Sequence, residues 1–565
     1  MQPPRYANTV ASLVFLLAAA IGCTPRTRRT PDDTLVVVIE APMTTSDPRA
    51  QISSYDAKLT RIVASGLTAV DTPDLKPRNE LASEIRRVDA RTIDVTVRGD
   101  ARFSDGSAVT AADVVGTYNS VLDARSTSGS HKMLSDRLSG VEVVAPQTAR
   151  FHLRAPLATF ESDLDFGIVS FHHGQPTSEQ AIGAGPYRMR ELTSTHALLE
   201  PNPYYFGARP RVGQVEIKFV RDGAARLLML VGGSADLIQN AVRPDLVEAI
   251  RARPRVRVET TDGVILTYLM MNNDDPVLRK REVRQAIAFA LDRPAIIRAK
   301  LGGLAKLATG LLAPKLWAYS GAVPRYDHDL ARARQLLDEA GLRDPDGDGP
   351  LPRLHLVYKT SSDGFRVSIA RVIAAQLSEI GIEVEVRPFE FATFFADIKK
   401  GAYQLASMQT TDITEPDFYF MYFHSSWIPS PATPDGFNRW RYRNALVDRL
   451  TTEGRAELDP GRRYQIYAEV QRQVAADVPI IPLWHEDNII LSNVDVTGYT
   501  STPNARLIGL RAMSLSVHRA TWGVLPIDDQ IVASQQRVAD TFLQLGLLSK
   551  PLRVSDALPK IPVHW

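Results

Sequence analysis

Three carboxylates lie beside three aromatic side chains in the stretch QTTDITEPDFYF at 409–420. The acids are Asp412, Glu415 and Asp417, and they are followed at once by Phe418, Tyr419 and Phe420. Carboxylates held this close to aromatic rings are costly to bury unless a positive charge neutralises them. The stretch therefore predicts a positive partner for these acids.

Two other pairs of polar residues are weaker candidates for a functional site. Asp163 and Asp165 have the spacing of a catalytic acid pair, but nothing nearby in the sequence supplies a base or a metal ligand. Solvation is the preferred interpretation of that pair. His172 and His173 are adjacent and cannot both face one site in a strand, so they are interpreted as surface-loop residues.

The DPDGDG segment at 344–349 begins like a calcium-binding loop. Its twelfth position is His355 instead of Glu, and no flanking helix follows, which favours a tight acidic turn. Motifs of nucleotide binding and covalent catalysis, such as GxxxxGK[ST], HExxH and GxSxG, are absent from the sequence. We therefore expect no cofactor and no covalent chemistry.

The composition is that of an ordinary soluble globular protein, and its net charge is close to zero. The 565 residues are 44% hydrophobic and 23% charged, and 66 Lys and Arg balance 64 Asp and Glu for a formal charge of +2. That balance gives no support to nucleic-acid binding. The length allows roughly two to four units of about 150 residues each.

The first 23 residues have the pattern of a signal peptide. The apolar run Ala11–Ile21 is too short for a permanent membrane span, and it leads to small residues and then to Cys23, the only cysteine. This ending resembles the bacterial lipoprotein cleavage box, which implies export and lipid attachment at Cys23. A plain signal cleaved near Ala20 is the alternative, and the polar segment 24–33 is predicted to be a flexible tether.

Beyond residue 34, predicted strands and helices alternate, which favours an α/β architecture. TLVVVIE (34–40) is typical of a buried strand, and TIDVTVR (92–98) alternates with period two. Helices are predicted at 111–122, where Thr110 and Asp113 form the N-terminus, and at 329–341, between Asp329 and Gly341.

Four segments in order resemble blocks of the family 5 extracytoplasmic solute-binding proteins. They are FSDGSAVTAADVVGTYNSVLD (103–123), GAGPYRM (183–189), YLMMNNDDPVLRKREVRQAIAFALDRPAII (268–297) and AAQLSEIGIEVEVRPFE (374–390). Those proteins are the dipeptide, oligopeptide and nickel receptors of ATP-binding-cassette importers. In GAGPY, Gly183, Gly185 and Pro186 are interpreted as a sharp bend between lobes.

The resemblance implies a two-lobed periplasmic-binding-protein fold of type II, in its large three-subdomain variant, with the ligand in an interlobe cleft. Lobe I is expected to comprise 34–62, 181–271 and 486–520. An inserted subdomain would span 63–180, and lobe II would span 272–485.

In peptide receptors of this family, the first Asp of a D-x-x-[DE]-P loop holds the ligand's ammonium group. The matching loop here starts at Asp412, which is thereby the predicted ammonium site; the alternative is that Asp412 caps a turn and Glu415 faces solvent. The family usually has Trp at the position of Gln409, so Trp427 or Tyr419 is considered as a replacement for that wall of the pocket.

Two further residues are candidates by the same resemblance. Arg366 lies near the place where dipeptide receptors hold the ligand's carboxylate, but the register is loose by a residue or more, and an exposed arginine is the preferred interpretation. His424, beside the aromatic cluster, would suit a metal chelate if the receptor took nickel, against the alternative of a packed or solvated histidine.

The last segment, 521–565, exceeds the family pattern and is predicted to be a helical extension. Part of it, 528–558, resembles the C-terminal segment of sulfonate- and nitrate-type binding proteins. No role is assigned to it.

The resulting hypothesis is a monomeric receptor that binds peptides and delivers them to a membrane permease and its ATPase. A second hypothesis keeps the receptor but replaces the peptide by a nickel chelate, sugar, opine or other solute. The third, from other classes, is a carboxylate-dependent hydrolase or a sensory lipoprotein.

Overall fold

A computed structural model describes residues 33–171, 181–347, 349–431 and 433–515, with single positions at 536, 537, 540, 544, 551 and 553. Three sets of predictions lie outside these ranges. They concern the signal segment with Cys23 and its tether, the pair His172 and His173, and nearly all of the C-terminal extension.

Strands and helices alternate along the described chain. The strands are β1 Thr34–Ile39, β2 Thr68–Ala69, β3 Arg78–Asn79, β4 Ala82–Arg87, β5 Thr92–Val97, β6 Leu138–Ala145, β7 Thr148–Leu153, β8 Tyr187–Leu192, β9 His196–Pro201, β10 Gln214–Phe219, β11 Leu237–Gln239, β12 Val256–Met271, β13 Ala305–Leu307, β14 Leu354–Ser361, β15 Ile382–Phe389, β16 Leu405–Thr410, β17 Ile480–Asn493, β18 Val496–Thr497 and β19 Ser514–Leu515. The helices are α1 Ser54–Val63, α2 Ala111–Leu122, α3 His131–Arg137, α4 Phe160–Asp163, α5 Gly223–Val231, α6 Val247–Arg251, α7 Arg281–Ala290, α8 Arg293–Leu301, α9 Leu330–Glu339, α10 Gly364–Ser378, α11 Phe391–Lys400, α12 Phe418–Phe423, α13 Ala445–Ala456 and α14 Pro460–Asp477. Short 3₁₀ turns occur at Pro244–Leu246, Ser425–Trp427 and Leu507–Ala512.

One large mixed sheet joins two lobes. Its order is β15-β14-β16-β12-β17-β11-β1-β10-β9-β8, and β13 pairs with β17. With the lobe boundaries expected from the sequence, the first three strands fall in lobe II and the last five in lobe I. Strand β17 crosses the expected boundary, and β12 pairs with β16 of lobe II. Within the described residues no helix combines the length and apolar character needed to cross a membrane.

The buried strand predicted at 34–40 forms β1, and both of its faces are covered. Leu35, Val37 and Ile39 pack into one core cluster together with helix α1 and the 3₁₀ turn at 507–512. Val36 and Val38 face the opposite cluster. A strand covered on both sides is expected to be apolar throughout, as this one is.

The inserted subdomain has its own sheet, in the order β4-β5-β7-β6, and its own apolar core. The predicted helix 111–122 is confirmed as α2. Its first turn carries a capping box: the side chain of Thr110 accepts a hydrogen bond from the backbone N–H of Asp113, and the side chain of Asp113 accepts one from the backbone N–H of Thr110. The predicted cap at Asp329 is confirmed as well, since its carboxylate accepts from Arg332 N at 2.9 Å.

Strands β12 and β17 pair with each other along nearly their whole length, with irregularities between Thr261 and Ile265 and between Thr267 and Tyr268. They pair from Val256–Asn493 to Thr261–Asn488, and pairing resumes at Ile265 and Glu486 after an irregularity. Beyond it, residues 266–271 pair with β16 of lobe II. The predicted boundary between lobe I and lobe II, after residue 271, falls at the last residue of β12.

Gly183 and Gly185 mark a close approach between two backbone segments. A Cβ on Gly183 would lie 2.2 Å from Val63 O, and one on Gly185 would lie 2.5 Å from Ile62 O. Neither glycine has a positive φ. The chain bends at Gly185 and Pro186, as predicted, and contact with the end of helix α1 leaves no room for a side chain at either glycine.

We expect Gly183→Ala to destabilise the protein by about 1–3 kcal/mol, because the added methyl group forces two backbones apart. Gly99→Ala is the matched control, since no atom lies within 4 Å of the position that its methyl group would occupy. Urea denaturation measures both variants. Equal midpoints for the two variants would contradict the packing argument.

Candidate functional site

The acidic loop at 411–417 lies where lobe II meets lobe I and the inserted subdomain. It connects strand β16 to helix α12. Each of its three carboxylates contacts a residue from outside lobe II, and the three contacts differ in kind. The acids of this loop therefore depend on how the lobes are placed.

Asp412 pairs with residues of lobe I. Its Oδ1 accepts from Asn504 Nδ2 at 2.7 Å, and its Oδ2 lies 3.2 Å from Arg506 Nη2. Arg506 also pairs with Asp165 at 2.7 Å, and Asp165 pairs with Arg61 at the same distance. The arginines hold the pKa of Asp412 below its usual value, although burial opposes them.

The backbone of Asp412 is in the left-handed region, with φ of 65°. Asp and Asn adopt this region more readily than most residues. A residue that replaces Asp412 in a test of the carboxylate must therefore also adopt the left-handed region readily.

Glu415 is held by hydrogen bonds alone. Ser162 Oγ of the inserted subdomain donates to its Oε1 at 2.9 Å, and Trp317 Nε1 donates to Oε2 at 3.4 Å. Burial raises the pKa of Glu415 to about 7, because these neutral donors and the nearby Arg463 compensate only part of the desolvation.

Asp417 is buried in an ion-pair network. It pairs with Arg137 of the inserted subdomain at 2.9 Å and with Arg455 of lobe II at 3.0 Å. Arg455 also pairs with Asp136, at 3.1 Å, and Arg137 with Asp163. Breaking such a network on one side leaves an unpaired buried charge, which is strongly destabilising.

The prediction that Asp163 and Asp165 are solvated is wrong. Their side chains are only 13% and 8% exposed, because both lie at the interlobe boundary opposite arginines. Burial raises the pKa of Asp163 to about 6. Their acid–acid spacing in the sequence reflects two separate ion pairs, one with Arg137 and one with Arg61 and Arg506.

The aromatic residues after the loop also meet a cation. The guanidinium of Arg455 lies 3.9 Å from the ring centroid of Phe420, a geometry in which the ring face attracts the charge. The positive partners that the sequence required are thus arginines of the protein itself, and two of them, Arg506 and Arg137, come from across the lobe boundary.

A small cavity opens beside Asp412, between the two lobes. Its lining residues are Ser54, Ala57, Lys58, Ile265, Thr411, Asp412, Asn504, Ala505 and Arg506. The side chain of Asp412 is 34% exposed, so part of the carboxylate is accessible despite its two partners. A carboxylate has about four acceptor positions, and an additional donor can be accommodated.

Arg366 faces the cleft from lobe II, on the first turn of α10. Its Nη2 donates to Gln409 Oε1 at 3.1 Å, and its Nη1 is 3.7 Å from Glu486 Oε1. It also acts electrostatically on Tyr55 of lobe I. The structure therefore brings Arg366 to the same interlobe region as Asp412 but not to the lining of the cavity beside it.

Tyr419, Trp427 and His424 do not line the cavity beside Asp412. Tyr419 is buried in the core of lobe II, where its hydroxyl accepts from Leu311 N at 3.2 Å. Trp427 is buried in the same core cluster. His424 Nδ1 accepts from Ser426 N at 3.1 Å, which leaves that nitrogen engaged.

The described residues of the acidic turn at 344–349 form an ion pair and a hydrogen bond with neighbouring residues. Asp344 lies 3.5 Å from Arg353, and Asp346 accepts from Leu351 N at 3.0 Å. Within the described part of the chain, no group of three or more His, Cys, Asp or Glu side chains is arranged to hold a metal ion.

Sequence reasoning missed the cations that complete the site. Arg506 follows an irregular segment, Arg137 ends a short helix, and Lys58 lies on α1; none belongs to a recognisable spacing. Only the unmatched acids of the loop signalled that such partners had to exist.

The two-lobed fold, with two strands passing between the lobes and a cavity at their boundary, defines a protein that binds a solute between lobes. The sequence profile of the bacterial extracellular solute-binding proteins, family 5 (middle segment), matches residues 76–430. The chain belongs to this family.

Known proteins of similar sequence or fold support the assignment. The chain is 24% identical, over 84% of its length and 92% of the relative's, to the probable D,D-dipeptide-binding periplasmic protein DdpA of Escherichia coli. It is 26% identical over 79% of its length to the oligopeptide-binding protein AppA of Bacillus subtilis, covering 85% of that protein. The AppA structure in complex with a nonapeptide superposes with a TM-score of 0.75, at 25% identity, over 86% of this chain and 99% of AppA. NikZ of Campylobacter jejuni in complex with Ni(L-His) gives 0.76 at 23% identity over 86% of this chain and all of NikZ, which shows the shared fold.

We expect the population in which the two lobes are in contact, with Glu415 buried, to increase as the pH falls from about 7 towards 4.5. This is called the closed arrangement. Glu415 has a raised pKa in this arrangement and returns to its ordinary value when separation of the lobes exposes it to water. The closed form therefore binds more protons in that window, and acidification favours it. X-ray scattering at several pH values measures the radius of gyration, which should decrease.

Glu415→Gln is the control for this effect, because it removes the titrating group and keeps the hydrogen bonds. Asp163, whose pKa is also raised, and His424, whose pKa is lowered by burial, are the same in both proteins. The difference between the two titrations therefore isolates Glu415. Identical pH profiles would contradict the argument.

Proposed function

We propose that this chain is the receptor of an ATP-binding-cassette importer and binds a peptide in its interlobe cleft. Of the two relatives named for peptides, DdpA is described as D,D-dipeptide-binding and AppA was crystallised with a nonapeptide. The observation that carries the proposal is Asp412, an ionised carboxylate that is partly exposed to a cavity between the lobes.

In this proposal, Asp412 accepts the ligand's ammonium group in addition to its present donors. Asn504 and Arg506 occupy one oxygen each and leave acceptor positions open. Arg506 also keeps the carboxylate ionised, so it is ready for a cation. A charge-assisted bond in a cleft that excludes water is stronger than the same bond in open solvent.

Arg366 is the proposed partner for a carboxylate of longer ligands. Its only close hydrogen-bond acceptor among the described residues is the neutral amide of Gln409, and its distance to Glu486 is 3.7 Å. A ligand carboxylate would therefore offer a stronger partner than those it has now. Gln409, in the place of the family's usual Trp, forms part of this polar wall.

Transport in this proposal requires no covalent step. A ligand that contacts both lobes stabilises the closed form by its differential contacts, and the closed receptor docks on a membrane permease. Export through the N-terminal signal and lipid attachment at Cys23 would hold the receptor at the membrane. We infer no enzymatic activity.

A receptor for a non-peptide solute is the second candidate. One observation favours it: Asp412 already has an arginine partner, so an ammonium group is not needed to neutralise it. Within this candidate, a nickel chelate held by His424 is disfavoured, because the residue is not on the cavity lining.

Asp412→Asn tests the peptide proposal. The substitution removes the charge, keeps the shape and tolerates the left-handed backbone. Loss of a charge-assisted bond of about 1.5–3 kcal/mol should weaken binding of peptides with a free N-terminus about tenfold to a hundredfold. Titration calorimetry measures this on protein freed of co-purified ligand.

The same titration with N-acetylated peptides and with Asp100→Asn provides the controls. Asp100 is 63% exposed in the inserted subdomain, and its loss should leave affinity unchanged. Acetylated peptides should bind weakly to wild-type protein and to Asp412→Asn alike. If Asp412→Asn binds free and acetylated peptides as the wild type does, the ammonium site is elsewhere.

A further inference from the structure

Lys58 is a cation without a direct counter-ion in the cavity between the lobes. It lies on helix α1 and lines the cavity with Asp412 and Arg506. Its ammonium forms no hydrogen bond or ion pair with any residue that the structure describes. The ring face of Tyr55, whose centroid is 5.5 Å away, also interacts with the ammonium.

The two carboxylates that act on Lys58 are both engaged elsewhere. Glu40 and Asp412 influence it electrostatically. Glu40 accepts a hydrogen bond from the Tyr55 hydroxyl, and Asp412 accepts from Asn504 and pairs with Arg506. Neither acid is therefore free to move onto the ammonium without abandoning a partner.

The position of Lys58 makes this arrangement costly. Its side chain is half-buried between the lobes, and desolvation lowers the pKa of its ammonium. Among the charged residues that line the cavity, Lys58 and Arg506 outnumber Asp412. Arg506 is paired with Asp165 as well as with Asp412, so Lys58 is the lining cation that has no ion-pair partner among the described residues.

We propose that Lys58 binds a carboxylate of the ligand, and that the cavity selects short zwitterions. This inference rests on the proposed function, in which Asp412 takes the ammonium group. One cavity then holds both charged ends of a dipeptide or a similar amino compound. Lys58 and Asp412 line the same cavity, so a ligand whose two charged groups lie close together can reach both side chains.

Lys58 is thereby a residue that determines specificity and is distinct from Arg366. Arg366 lies off this cavity, with Gln409 and Glu486 as neighbours. A ligand long enough to reach Arg366 would leave Lys58 unpaired. The structure therefore assigns Lys58 to short ligands and Arg366 to longer ones.

The experiment compares dipeptides with their C-terminal amides. A pool of dipeptides with free carboxylates, and the same pool as amides, is offered to the wild type, and native mass spectrometry identifies the dipeptide retained best. Titration calorimetry then measures that dipeptide and its amide on wild type, Lys58→Gln, Lys58→Arg and Lys76→Gln. Lys76 is a control because its side chain is 65% exposed.

The expected result is that Lys58→Gln weakens the free dipeptide about tenfold to a hundredfold and leaves the amide unchanged. Lys58→Arg should restore part of the affinity, and Lys76→Gln should bind as the wild type does. Equal loss for dipeptide and amide would show that Lys58 only supports the fold of the site, and no loss would show that it does not bind the ligand; either overturns the inference alone. If neither pool binds the wild type while Asp412→Asn also has no effect on any peptide, the proposed function fails as well.

Discussion

The acidic loop at 411–417 can be buried only if other parts of the protein supply its counter-charges. Asp417 is nearly inaccessible and depends on Arg137 and Arg455, while Asp412 depends on Arg506. Arg137 and Arg506 lie on the other side of the lobe boundary. Closing the lobes and neutralising the loop are therefore one event, because an open arrangement would return these carboxylates to water as their partners withdraw.

Because of this coupling, the strands that join the two lobes affect how the acidic loop is neutralised. Strands β12 and β17 connect the strands of the two lobes in the large sheet, and their pairing is interrupted between Thr261 and Ile265. A Cβ on Gly263 would lie 2.2 Å from Glu486 O, so a side chain at this position would force the two strands apart. The acidic loop follows β16, which pairs with β12 beyond this irregularity.

Much of the fold could be predicted from the sequence, because helix caps and buried strands leave local signals. Helix 111–122 and strand 34–39 are examples. The irregularity in the pairing of β12 with β17 could not be placed, because the sequence of a strand does not show which residues of a distant strand it pairs with. The ion pairs of the site could not be found either. Arg506 lies 94 residues from Asp412 in the chain, and no periodicity links the two. The acids of the loop predicted positively charged partners, and only the structure showed which residues these are.

The most direct test measures the distance between the lobes. Spin labels at Leu228 of lobe I and Phe391 of lobe II, both exposed, report it by electron–electron double resonance. If the ion pairs hold the lobes together, the ligand-free wild type shows a short-distance population, and Arg137→Met and Arg506→Met each shift it to longer distances. An unchanged distance distribution in both folded variants would contradict the account, because the loop would then be neutralised by something other than closure.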